Sequence, residues 1–128
     1  MTTAIPAETR AARGERILQH AIANSGSIYA GHAILATDGD PKQVEATVLR
    51  VLGGYKDGPF GRVAAGTFDV FAAMHLACRW CDRLTPRTLD HISQIMTTGV
   101  HHRGNTENHW LMYYVGNLLA AEQWPNAS

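Results

Sequence analysis

Residues 40–54 read Asp40-Pro41-Lys42-Gln43-Val44-Glu45-Ala46-Thr47-Val48-Leu49-Arg50-Val51-Leu52-Gly53-Gly54, and they decide the fold class. The Asp40 carboxylate can satisfy the free N–H groups of a helix start. Pro41 suits the first helical position, where a missing N–H costs nothing. Gln43 can reach back to Asp40 as in a capping box. Val44, Val48, Val51 and Leu52 then fall on one face, and Gly53-Gly54 stops the run. The stretch predicts one amphipathic helix with both ends marked.

The same signals repeat on either side. Upstream, Ile5-Pro6-Ala7-Glu8 opens a helix that runs through Ile17, Leu18, Ala21 and Ile22 to Asn24, where Ser25-Gly26 can end it. Residues 28–36 are apolar but short; helix and buried strand both fit, and helix is preferred. Downstream, Tyr55 to Gly66 (YKDGPFGRVAAG) carries Gly, Pro and Asp in turn positions and reads as a loop. Such a loop is either ligand-facing or a plain surface connection.

Thr67 to Asp82 reads as a helix with Phe68, Phe71, Ala72, His75, Leu76 and Arg79 around one side. Thr85-Pro86 restarts a helix through Leu89, Ile92, Ile95 and Met96 that closes near Gly99. Asn105 or Thr106 caps a strongly apolar last helix, with Trp124-Pro125 beyond its end. Five or six helices and no convincing strand pair give an all-α class, antiparallel helical hairpins in a single domain over 1–128.

Composition supports a packed core. The 128 residues are 45% hydrophobic and 17% charged, which excludes a disordered charged tail. Eleven Lys+Arg balance eleven Asp+Glu, so no global basic footprint points to nucleic acid. No apolar run reaches membrane-span length, and the N-terminal residues lack the apolar core of a signal peptide. With two cysteines only, a reducing compartment is expected, and the chain is read as a cytoplasmic protein.

The densest chemical cluster is His101-His102-Arg103-Gly104-Asn105-Thr106-Glu107-Asn108-His109-Trp110. A capped helix start favours an anion, and Arg103 can add a fixed charge. Tyr113 lies four residues after His109, so both rings can face one site, and Asn117 extends that side by another turn. Imidazole and phenol form a workable proton-transfer pair, and the Asn108 amide can bond a developing oxyanion. Each residue also has a structural explanation: Asn105 and Thr106 as caps, Glu107 as a dipole partner, His109 and Tyr113 as bonded core groups.

The stretch HHRGNTENHWLMYYVGNLLAAEQWP resembles a segment of the alginate-lyase and heparinase-like proteins that fold as an (α/α) toroid. Asn108-His109 after Arg103 is similar to the Arg–Asn–Asn–His element of those lyases, with Glu107 standing where the family has an amide. The resemblance implies β-elimination on a uronic-acid-containing glycan. Asn108 would neutralise the substrate carboxylate, His109 would be the base or a co-neutraliser, and Tyr113 or Tyr114 the acid. Arg103 would hold a carboxylate, with His102, Tyr114 and Asn117 completing substrate binding. No metal and no cofactor is implied. A chain this short supplies only part of a toroid, and the exposed inner wall of such a part implies a homo-oligomer. The alternative is a non-catalytic helical module that self-associates or binds a small ligand between its helices.

A second cluster, His75-Leu76-Ala77-Cys78-Arg79-Trp80-Cys81, has redox or metal spacing. Without a βαβ unit or a second C-x-x-C, it reads as two small buried thiols near a bonded His75. The aromatics at helical spacing read as core, and Tyr55 and Phe60 as the better ligand contacts. Arg10, Arg13 and Arg16 with Glu8 and Glu15 read as a solvated face.

Overall fold

A computed structural model describes residues 8–24, 26–53, 56–58, 61–63, 66–98 and 106–127. The protein is all-α, with six helices among these residues: α1 (Arg10–Ala23), α2 (Tyr29–Ala36), α3 (Pro41–Val51), α4 (Thr67–Trp80), α5 (Pro86–Thr98) and α6 (Glu107–Gln123).

The capping signals act largely as read. The Asp40 carboxylate accepts from the Lys42 N–H at 2.9 Å and starts α3. Val44 and Val48 are fully buried and Leu52 is 1% exposed. Gln43 lines a crevice together with Ile22 and Ile34. α1 begins at Arg10, later than expected, because the Thr9 hydroxyl accepts from the Ala12 N–H and caps the helix there. α2 ends in a Schellman arrangement: Gly39 N–H reaches the Ile34 carbonyl at 2.7 Å, and Asp38 N–H reaches Leu35 at 3.3 Å. Asp38 takes the left-handed position at φ 57°, which short polar side chains tolerate better than most.

The segment expected to be loop carries a short antiparallel hairpin, β1 (Lys56–Gly58) with β2 (Gly61–Val63), in the register Lys56↔Val63, Asp57↔Arg62, Gly58↔Gly61. Strands of three residues are too short for alternation to show in the sequence. Tyr55 and Phe60 lie outside the described residues.

α4 is central and packs on α2, α5 and α6. Its buried Ala72, Ala73 and Ala77 let the neighbouring backbones come close, and Met74 and Leu76 fill the space between. Gly31 serves the same purpose on α2: a Cβ there would sit 3.0 Å from Val44 Cγ1 and 3.2 Å from Leu76 Cδ1. The buried core is aliphatic, built from Ile, Leu, Val, Ala and Met.

That result corrects the expectation of an aromatic core for all but Trp80 and Trp124, which are partly buried and pack against its edge. None of the described Phe, Tyr or Trp side chains is buried. Phe68, Trp110 and Tyr114 are 56%, 43% and 56% exposed. The apolar side foreseen on α4 splits, with Ala72 and Leu76 inside and Phe68, His75 and Arg79 outside. In α6 only Gly116 and Ala120 are buried. A Cβ at Gly116 would lie 3.8 Å from Val70, so α6 comes close to α4 at its small residues, with Leu119 also packed against the core and Trp110, Leu111, Tyr114 and Leu118 turned away.

Candidate functional site

The start of α6 is built by Thr106. Its hydroxyl accepts from the His109 N–H at 3.4 Å and caps the helix, and the same oxygen lies 2.7 Å from His109 Nδ1. The ring is thereby held from two sides, because Phe68 on α4 meets it in a T-shaped contact with centroids 5.1 Å apart and planes at 79°. His109 is half-buried, and Tyr113 follows one turn later on the same side, also half-buried. The structure therefore aligns His109 and Tyr113 along one side of the helix.

Asn108 is exposed and points about 100° around the helix from His109. Tyr114 is exposed, with its ring perpendicular to that of Tyr113 at 5.4 Å. Asn117 donates its side-chain N–H to the Tyr113 carbonyl at 2.8 Å, which leaves its oxygen for other contacts. His101, His102, Arg103 and Asn105 lie outside the described residues.

Beside this start runs a row of rings: Phe68, Phe71 and His75, which the sequence groups on one side of α4, and Tyr29 and His32 of α2, which it does not reveal. Phe68, Phe71 and His75 follow one another along α4 over about 10 Å. His75 is tilted against Phe71 at 6.4 Å and against His32 of α2 at 4.6 Å. Tyr29, 47% exposed, stacks on His32 at 6.4 Å. Exposed Arg79 closes the row, its guanidinium 5.2 Å from the Trp80 ring. His32 stands 43 residues from its ring partner His75, so no local spacing could reveal the pairing.

The Trp80 indole N–H donates to His32 Nδ1 at 3.0 Å. A neutral imidazole accepting there carries its proton on Nε2, and this buried N–H has no acceptor among the described residues. Burial lowers the His32 pKa from 6.5 to about 4, helped by the positive fields of His75 and Arg79.

The thiols depart from their expected burial. Cys78 is half-buried, and desolvation raises its pKa; Cys81 ends α4 and is exposed. Among the described residues no three His, Cys, Asp or Glu side chains converge. On α1, Arg16 and Arg13 pair with Glu8 at 2.7 and 3.5 Å on an exposed face, as its charge pattern suggested. A crevice of about 330 Å³ opens between α1, α2 and α3, lined by Ile22, Ile34, Gln43, Ala46 and Thr47. No helix among the described residues is long and apolar enough to cross a membrane. Compared with family models, curated proteins and solved structures, the chain matches none.

Proposed function

We propose that this is a carbohydrate-active protein that takes a uronic-acid-containing glycan across the rings of α4 and the start of α6 and cleaves it by β-elimination. The observation that carries the reading is His109, oriented by Thr106 and set in a T-shaped contact with exposed Phe68. An acid–base group beside a stacking surface is what a sugar substrate requires. Aromatic faces take the C–H faces of sugar rings, while imidazole and guanidinium edges supply donors for hydroxyl and carboxylate oxygens.

In this scheme His109 removes the proton next to the uronate carboxylate, and the C–O bond to the leaving sugar breaks as a carbon–carbon double bond forms. Tyr113 gives its proton to the leaving oxygen. Asn108 neutralises the carboxylate, with His102, Arg103, Tyr114 and Asn117 as substrate-binding groups. For His109 to act as base through Nε2, its Nδ1–H must donate to Thr106 Oγ1. The finer architecture, helical hairpins as part of an (α/α) toroid, belongs to the same proposal.

The test incubates the protein with a panel of uronate polymers and follows the ultraviolet absorbance of the unsaturated product. Turnover is expected, and it should vanish in folded His109→Ala and Tyr113→Phe. No product from folded protein across the panel would overturn the catalytic assignment. A second reading, a non-catalytic module holding a small ligand between helices, draws on the crevice beside Ile22 and Thr47. It predicts that Thr47→Trp abolishes ligand binding while His109→Ala does not.

A further inference from the structure

α6 turns a second set of large side chains outward. Trp110, Leu111, Tyr114 and Leu118 are 43%, 65%, 56% and 59% exposed. Positions 110, 114 and 118 recur every fourth residue with 111 beside them, so they form one stripe along the helix. The centre of the stripe is turned about 135° from His109 and Tyr113.

Three features of this stripe bear on what covers it. Its size comes first: at roughly 200 Å² per side chain, it exposes on the order of 450 Å² of mostly apolar surface. That is within the range of the largest apolar patch a monomer shows, and it supplies over half of the ~800 Å² each partner of a stable pair buries. Charge comes second. Residues 108–121 contain no Asp, Glu, Lys or Arg, and the charged residues of α6 are Glu107 and Glu122 at its two ends. Depletion of charge at the centre with a polar rim is the composition of a protein interface core. Leu111 and Leu118 would gain nothing from a hydroxylated ligand, and no charge here would recruit an oppositely charged partner.

Symmetry is the third feature. Trp110 precedes Tyr114 by four residues, and Leu118 follows it by four. When two such helices run antiparallel about a two-fold axis near Tyr114, each Trp110 meets Leu118 of the other copy, and the same patch serves both sides. From this we infer that α6 is a self-association face and that two copies pair antiparallel through Trp110, Leu111, Tyr114 and Leu118. The pairing brings Glu107 of each copy near Glu122 of the other, a like-charge contact at each end that salt screens.

The inference shares Tyr114 with the proposed substrate-binding groups but uses none of Asn108, His109 and Tyr113, and its readout, the oligomeric state, is measured without glycan. Sedimentation of the full chain over a concentration series should show a species of twice the 14.0 kDa chain mass, tightening several-fold as salt rises. Leu118→Glu, which adds a charge where Leu118 is already exposed, should weaken pairing tenfold or more while leaving thermal unfolding near wild type. Tyr114→Cys, in a background with Cys78→Ser and Cys81→Ser, should give a disulfide-linked dimer on mild oxidation. A chain that stays monomeric throughout overturns the inference. So does a dimer that Leu118→Glu leaves intact and Tyr114→Cys does not cross-link.

Discussion

The Trp80 indole donates to His32 Nδ1 at 3.0 Å, joining α4 to α2 through a histidine that stays neutral in the fold. The unfolded chain binds a proton at this residue below about 6.5, and the folded chain only below about 4. His32 therefore adds stability that is complete above pH 6.5 and declines as pH falls toward 4. Imidazole resonances followed by NMR should give His32 a midpoint about 4. A midpoint at the ordinary value would mean that the ring is not buried against His75 and Trp80.

Glu45 governs a more acidic window. Its buried carboxylate accepts from the Thr85 hydroxyl and from Lys42 Nζ at 3.3 Å, with Arg87 3.8 Å away. The Thr85 bond is the main cause holding the carboxyl below its ordinary pKa, and the two cations add to it against burial. Its contribution is present above the ordinary carboxylate pKa and is lost as pH falls through the depressed folded value. Glu45→Gln should lower the melting temperature at neutral pH and flatten the most acidic limb of the stability curve. An unchanged acid limb would contradict the assignment.

Gly31 tests how closely the helices pack. A methyl group there meets Val44 at 3.0 Å and Leu76 at 3.2 Å, both in the core, so Gly31→Ala should cost about 1–3 kcal/mol in urea unfolding. A stabilised Gly31→Ala, the usual result for an unconstrained helical glycine, would show that α2 has room to move.

Thr106 is a positioning residue in the proposed mechanism. Thr106→Ala should cost about 1 kcal/mol through loss of the cap. It should also lower kcat more than it changes KM, because His109 loses the hydroxyl at 2.7 Å that orients its ring. Thr106→Ser should restore both. Equal turnover in the Ala and Ser variants would confine Thr106 to capping.

The helices were legible wherever local chemistry sets them: Asp40-Pro41 before α3, Thr85-Pro86 before α5 and Thr106 before α6 each act within one turn. Burial was less legible. The apolar richness of residues 110–119 reads as core, yet the fully buried residues of α6 are Gly116 and Ala120, with Leu119 partly buried beside them, while Trp110, Leu111, Tyr114 and Leu118 stay exposed. For the candidate site, the one-turn spacing of His109 and Tyr113 was visible. Their neighbours Phe68, His75, His32 and Tyr29 come from other helices and meet only through tertiary packing.

The glycan reading is tested most directly by NMR titration of the protein with a uronate oligosaccharide, reading the ring resonances of Tyr29, Phe68, Phe71, His75 and His109. The account predicts saturable shifts confined to these rings and the start of α6, abolished by Phe68→Ala in a folded protein. Saturable shifts at the crevice beside Ile22 and Thr47, or none at oligosaccharide concentrations that saturate ordinary sugar sites, would contradict it.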